Sequence, residues 1–374
     1  MKKDKYNGLY SLNRNGEQIM NTNYWPVDSN VDNIEGYPRI AEAAQYIRDN
    51  QIVAFPTETV YGLGANAHSD EAVAQIFKAK GRPADNPLIV HIAEYQQLEK
   101  LVAGISKQAK LLIDAFWPGP LTLIFPKSPG VLSDLVTAGL DTVAIRMPSH
   151  PVALALIRAS GLPIAAPSAN RSGKPSPTTA LHVQQDLNGK IAGIVDGGAT
   201  GVGLVNQRST VLDCTGEVPV ILRPGGITKE ELESVVSDKI EIASNLLEKT
   251  DAPRAPGMKY KHYSPSAPLY LVDGEVDWIQ SLINEKRKQG LKVGVLASSE
   301  TKQKYQADLI LNVGSRKQLD QVAHQLYYTL REFDQSHVDF IYSEVFPQLG
   351  VGVAIMNRLE KAAGHHWLIQ DKQD

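Results

Sequence analysis

Residues 251–268 read Asp-Ala-Pro-Arg-Ala-Pro-Gly-Met-Lys-Tyr-Lys-His-Tyr-Ser-Pro-Ser-Ala-Pro, four prolines and one glycine in eighteen positions. Proline fixes φ and donates no backbone hydrogen bond, so neither a helix nor a central strand can run through this stretch. A chain of 374 residues is long for one core and comfortable for two. The interruption therefore predicts two domains, 37–249 and 268–374, joined by a linker of restricted flexibility over 250–267. That linker also carries Arg254, Lys259, Lys261, His262 and two tyrosines, more chemistry than a spacer requires.

The segment 1–36 is polar, rich in Asn turns and without a period. It is expected to be an extension that is disordered or packs loosely. From Tyr37, the residues Ile40, Ala44, Tyr46 and Ile47 share one face of a helix. Gln51-Ile-Val-Ala-Phe-Pro is a short strand closed by Pro56. Ser69 is an N-cap with Asp70 and Glu71 in the first turn, predicting a helix to about Lys78. Pro87-Leu-Ile-Val-His-Ile reads as a buried strand, and 121–125, 142–146, 162–166, 191–195, 209–213 and 218–223 as others. Helices fall near 106–116, 150–160, 178–186 and from Lys229 to about Glu248. This is an α/β pattern with a sheet of mixed direction. Beyond the linker, strands at 269–272, 293–296, 309–313 and 340–342 alternate with helices near 275–289, 317–333 and 353–363. That rhythm predicts a small Rossmann-like domain with a parallel sheet.

The net charge of −3 argues against a protein that grips nucleic acid with its whole surface. The single cysteine, Cys214, excludes an intramolecular disulfide and a Cys-cluster zinc site, and it reads as a small buried residue at a strand end. No run of 18 apolar residues suggests a membrane span. The basic N-terminus is not followed by the apolar stretch of a signal peptide, so the cytoplasm is the expected compartment. Neither a Walker-type phosphate loop, a dinucleotide fingerprint, nor a Ser or Cys nucleophile motif occurs. His365 and His366 read as solvated surface rather than metal ligands, and no residue is assigned to a metal.

Two polar clusters stand out against this background. Lys80 and Arg82 open Lys-Gly-Arg-Pro-Ala-Asp-Asn, and Ser168 and Asn170 open Ser-Ala-Asn-Arg-Ser-Gly-Lys-Pro-Ser. Arg offers a planar fork and Lys a point charge, as a phosphate or carboxylate site needs. The same pair also suits a solvated helix end. Ser168 and Asn170 follow a strand, where ligands gather in α/β sheets, although an ordinary turn uses the same residues. Thr57, Thr59 and Tyr61 alternate, as do Thr142 and Arg146. Each set could line a polar pocket or face solvent from a strand edge. His91 in a buried strand fits a core histidine as well as a ligand.

Taken together, Pro-Thr-Glu-Thr-Val-Tyr-Gly-Leu-Gly at 56–64, Lys-x-Arg-Pro-x-x-Asn-Pro-Leu at 80–88 and Ser-Ala-Asn-x-Ser-Gly at 168–173 resemble the YrdC-type domain. Ser-Thr-Val at 209–211 and Leu-Arg-Pro-Gly at 222–225 do so too. The linker and the closing Gly-Val-Ala-Ile-Met-Asn-Arg-Leu-x-Lys-Ala-Ala are similar to the long, two-domain L-threonylcarbamoyladenylate synthases. The resemblance covers about 38–364. It implies a YrdC-type twisted mixed sheet with helices, and a reaction joining L-threonine, bicarbonate and ATP into threonylcarbamoyl-AMP and pyrophosphate for tRNA modification. It implies L-threonine on Thr59, His91, Arg146, Ser209 and the backbone of Ala166. It places ATP on Arg82, Asn86, Thr142, Ser168, Ser176, Arg223 and the linker's Tyr263, the last as part of a lid. Lys80, Arg82, Ser168 and Asn170 carry the chemistry. Mg2+ is expected mainly on the ATP phosphates. Transient contact with the tRNA threonylcarbamoyl transferase complex is also implied, with weak or no direct tRNA binding and no membrane. An RNA-binding module, or carbamoyl transfer in hydrogenase maturation, are the competing readings. The acidic balance and the single cysteine weigh against them.

Overall fold

The apolar runs become strands and the periodic segments helices in a computed structural model that describes residues 10–12, 18–28, 36–201, 209–243 and 264–371. The chain divides into two units. The first takes in the described residues to Ser172, with 177–201 and 209–243; the second takes in Gly173–Ser176 and 264–371.

In the first unit β1 (Tyr10–Leu12) and β2 (Gln18–Met20) form a separate antiparallel pair. There follow β3 (Asn23–Pro26), α1 (Pro38–Arg48), β4 (Val53–Pro56), β5 (Tyr61–Asn66), α2 (Asp70–Lys80), β6 (Ile89–His91), α3 (Tyr95–Leu101) and α4 (Lys107–Phe116). Next come β7 (Leu121–Pro126), α5 (Asp134–Thr137), β8 (Thr142–Arg146), α6 (Pro151–Ser160), β9 (Ile164–Ala165) and α7 (Ala180–Leu187). Then β10 (Gly193–Asp196), β11 (Thr210–Asp213), β12 (Val220–Arg223), α8 (Lys229–Val236) and β13 (Glu241–Ile242) complete the unit. From β3 on, the strands form one sheet in the order β13-β12-β11-β7-β8-β6-β9-β5-β4-β10-β3. Directions are mixed, as expected: β6 runs parallel to β8, and β7 antiparallel to it.

The period of two assigns each strand residue to a face. Val90, Leu123, Val143, Ile145 and Leu212 go to one face and pack in the main core with apolar residues of α2, α4, α7 and α8. The opposite face is covered in part by α1 and α6, whose Ile40, Ala44, Ile47, Val152 and Leu156 join Phe55 and Ile164. The remainder of that face, on β6, β7, β8, β11 and β12, has only a small apolar floor of Ile89, Ile124, Ala144, Val211 and Leu222. The polar residues that alternate with this floor are the site residues described below.

Three expectations are corrected. The segment before residue 37 is not merely loose: β3 is an edge strand parallel to β10, and Trp25 and Val27 are buried. Trp25 packs on Tyr46 with ring centroids 5.4 Å apart, and a Cβ at Gly193 would collide with its ring. One tryptophan seated over a glycine outweighs the polar composition around it. The helix expected from Lys229 to Glu248 stops at Val236, where Ser237 turns left-handed, and β13 follows. Thr57 and Thr59 lie in the tight turn between β4 and β5 rather than along a strand edge.

The second unit comprises β14 (Leu269–Asp273), α9 (Val276–Lys288), β15 (Val293–Ala297), β16 (Leu309–Asn312), α10 (Leu319–Gln335), β17 (Phe340–Glu344), α11 (Val351–Ala363) and β18 (Trp367–Ile369). Its sheet, β16-β15-β17-β14-β18, is parallel at every pairing, which meets the Rossmann-like expectation and adds the unforeseen edge strand β18. Gly173–Ser176 is held in this unit by Lys174 Nζ on Asp334 at 2.7 Å and Arg331 Nη2 donating to the Pro175 carbonyl at 2.5 Å. Buried Glu344 accepts from Ser298 N–H at 2.9 Å and Tyr305 hydroxyl at 2.7 Å, with Arg316 Nη1 at 3.4 Å. Among the described residues no helix is long and apolar enough to cross a membrane. The linker to residue 263, with Tyr263, lies outside the described residues.

Candidate active site

Ser69 accepts from Ala72 N–H at 3.2 Å to start α2, and left-handed Gly81 (φ 62°) ends it. Lys80 is thereby fixed on the last turn, with Arg82 just past it. Lys80 is buried, and its Nζ donates to the carbonyls of Ser168 at 2.5 Å and Asn170 at 2.6 Å. The Lys80 carbonyl in turn accepts from Ser172 N–H at 2.9 Å. The two polar clusters, about ninety residues apart in sequence, are therefore one structural feature. Within it Ser168 Oγ donates to Asn170 Oδ1 at 2.6 Å, and Asn170 Nδ2 to the Arg171 carbonyl at 2.7 Å. Arg82 Nη2 donates to the Asn86 carbonyl at 2.9 Å.

A second group lies on the sheet. His91 and Arg146 are register partners on β6 and β8, so their side chains share a face. Thr142, two turns of the pleat before Arg146, shares it too and is half-buried. Arg146 is 3% exposed. Its Nε donates to the Gly119 carbonyl at 3.2 Å and its Nη1 to Thr59 Oγ1 at 3.2 Å, while Nη2 stands 2.6 Å from Glu58 Oε1. Thr122 on β7 takes the same face, and its hydroxyl lies 2.7 Å from that of Ser209, the residue before β11. A bulge in β12 opposite Val211 and Leu212 re-aims Arg223. Its Nη2 donates to the Ser209 carbonyl at 2.8 Å and to Ser209 Oγ at 3.0 Å. Ala166 is buried, and its N–H is spent on the Ile89 carbonyl at 2.9 Å. Only its carbonyl is left for the expected ligand contact. Ser176, buried, belongs to the second unit.

Buried polar atoms are almost always paired, and those that are not call for an explanation. Here Asn86, fully buried, has neither side-chain amide atom hydrogen-bonded. His91 Nδ1, Ser176 Oγ, Arg146 Nη2 and both Glu58 oxygens also lack hydrogen-bond partners. Apart from Glu58, these residues are drawn from the expected threonine and ATP sets; Arg358 Nη2, in the second unit, is likewise buried without a hydrogen-bond partner and belongs to neither. Burial, and then the Arg146 charge, lower the His91 pKa to about 3, so at neutral pH the ring is an uncharged hydrogen-bonding group. Glu58, Thr122 and the Gly119 carbonyl were not anticipated. Glu58 sits at the even position of Thr57-Glu-Thr-Val-Tyr61, off the alternating hydroxyl line that drew attention to the segment.

Comparison with known proteins identifies the family. Residues 45–225 match the Sua5/YciO/YrdC family, described as telomere recombination, and 227–364 match the threonylcarbamoyl-AMP synthase C-terminal domain. The threonylcarbamoyl-AMP synthase of Bacillus subtilis is 57% identical over 92% of this chain and 99% of its own. That of Pyrococcus abyssi is 50% identical over 87% of this chain and 94% of its own. The crystal structure of P. abyssi Sua5 complexed with L-threonine matches with a TM-score of 0.86 at 48% identity, covering 93% of this chain and 100% of that one. The chain belongs to the threonylcarbamoyl-AMP synthase family, in its two-domain form.

Proposed function

We propose that this chain joins L-threonine, bicarbonate and ATP into threonylcarbamoyl-AMP, releasing pyrophosphate, and so supplies the threonylcarbamoyl group for N6-threonylcarbamoyladenosine in tRNA. The observation that carries the reading is the set of buried polar groups lacking hydrogen-bond partners, Asn86, His91, Arg146 and Ser176, inside a chain of this family. Threonine's amine takes up bicarbonate as a carbamate with loss of water, and a carbamate oxygen attacks the α-phosphorus of ATP. The substrate supplies the nucleophile, so the protein needs no Ser, Cys or His nucleophile. Its work is orientation and electrostatic stabilisation.

In this reading Arg146 receives the threonine carboxylate, with Thr59, His91, Ser209 and the Ala166 carbonyl around the amino acid. Arg82, Asn86, Thr142, Ser168, Ser176 and Arg223 receive the nucleotide. Lys80 and Asn170 set the loop beside the reacting phosphate, and Tyr263 belongs to a linker that closes over the nucleotide as a lid. No group of three or more His, Cys, Asp or Glu suited to a metal occurs among the described residues, so they offer no protein cage for Mg2+. Mg2+ would come with the ATP phosphates. The product is handed to the tRNA threonylcarbamoyl transferase complex in the cytoplasm, with little direct tRNA binding by this chain. The test is pyrophosphate release from ATP and bicarbonate with and without L-threonine, with serine as control. Threonine-dependent release that Lys80→Ala or Arg82→Ala abolishes supports the reading. Folded protein that releases none overturns it and favours an RNA-binding role for the same patch.

A further inference from the structure

We propose that Glu58 is the subsite for the α-amino nitrogen of L-threonine, so that Glu58 and Arg146 together recognise the amino acid as a zwitterion. The inference rests on the reading that Arg146 holds the threonine carboxylate.

The turn carrying Glu58 is built to hold it in place. Thr57 Oγ1 donates to the Val60 carbonyl at 2.7 Å and lies 2.9 Å from Thr59 Oγ1. It also accepts from the N–H groups of Thr59 and Val60, each at 3.3 Å. From this turn the Glu58 carboxylate reaches Arg146 Nη2 at 2.6 Å, with side chains 11% and 4% exposed respectively. The pair is close but incomplete. Neither Glu58 oxygen, nor Arg146 Nη2, is in hydrogen-bond geometry with another group among the described residues. Arg146 Nε and Nη1 are meanwhile taken by the Gly119 carbonyl and Thr59.

A carboxylate accepts at up to about four lone-pair sites, and leaving them empty in a buried place is costly. The missing partner is therefore a donor. ATP phosphates and the threonine carboxylate are acceptors; threonine brings two donors, its α-ammonium and its β-hydroxyl, and of these only the ammonium carries the charge that matches a buried carboxylate. The Glu58–Arg146 pair is neutral overall, as is free threonine at neutral pH. A ligand bound with its carboxylate toward Arg146 Nη2 and its ammonium toward Glu58 completes both unmet groups without adding net charge to a buried site. Carbamate formation takes two protons from the ammonium, one leaving in the water and one passing to solvent, and the nitrogen keeps one N–H for Glu58 to accept. The same contact favours threonine over acids that lack the amine.

The test is equilibrium binding of radiolabelled L-threonine to the full chain, with (3R)-3-hydroxybutyrate, which lacks only the amine, read by displacement. Glu58→Gln keeps the shape and removes the charge; unchanged ATP binding and a single cooperative melting transition report that it folds. The expected result is a loss of about 10- to 100-fold in threonine affinity, with the 3-hydroxybutyrate affinity changed less than about threefold and partial recovery in Glu58→Asp. Equal losses for both ligands would show that Glu58 only braces Arg146, and an unchanged threonine affinity would also overturn the proposal. Arg146→Ala separates the two layers: if it leaves both ligands bound as before, the placement of threonine itself fails, whatever Glu58 does.

Discussion

Each unit buries one carboxylate beside an arginine, and the two are finished very differently. Glu344 in the second unit is saturated by Ser298, Tyr305 and Arg316. Glu58 in the first touches Arg146 at 2.6 Å yet has no hydrogen bond on either oxygen. A saturated buried charge specifies and steadies a fold, because removing a partner strands the others. An unsaturated one costs stability until something completes it. Within the first unit the same state extends beyond Glu58: Asn86 and His91 are buried with unmet polar atoms, as a site prepared for ligands would be.

That difference can be broken by mutation, most severely at Glu344. Glu344→Ala strands a backbone N–H, a tyrosine hydroxyl and an arginine, and should lower stability by about 4 kcal/mol. Chemical denaturation measures it, and threonine affinity of the folded fraction should stay within about twofold. The opposite signature belongs to Asn86→Ala. It should reduce kcat/KM for ATP by about 100-fold, or about 2.7 kcal/mol, with stability held or slightly raised, as steady-state kinetics and thermal melts would report.

His91 sharpens the contrast through pH. Its folded-state pKa of about 3 lies below the ordinary value of 6.5, so between these values the unfolded chain binds a proton that the folded chain does not. The stability contributed by the neutral ring is fully present above pH 6.5 and falls as the pH drops toward 3. The loss should be about 2 kcal/mol by pH 5, and His91→Gln should flatten that part of a denaturation-versus-pH profile. The smallest effect has the most telling sign. Ser176→Ala removes a fully buried hydroxyl without a partner, and should stabilise the ligand-free protein by about 1 kcal/mol while weakening ATP binding several-fold.

Much of this was legible in the sequence. The strands on which His91 and Arg146 sit follow from short apolar runs, and the shared face of Thr142 and Arg146 follows from the period of two; that His91 joins them rests on the register of β6 with β8. Ser69 announced the start of α2, which runs two residues past the expected end near Lys78 and so carries Lys80 on its last turn. The motif order 56–64, 80–88 and 168–173 gathered residues that single positions could not. Other features depend on pairing that no local pattern carries. β3 is set by Trp25 over Gly193, across a long sequence separation. Arg223 reaches Ser209 through a bulge, which breaks the alternation used to assign faces. Glu58 escaped because its neighbours' hydroxyl rhythm pointed elsewhere, and its importance appears only when its missing hydrogen bonds are counted.

The central claim is that the unmet polar groups of the first unit are the contacts a ligand completes, and a crystal structure of this chain with L-threonine tests it most directly. The account predicts the carboxylate within about 3 Å of Arg146 and the amino nitrogen within about 3 Å of Glu58. Threonine bound with its carboxylate away from Arg146, or those groups still unpaired around it, would contradict the account.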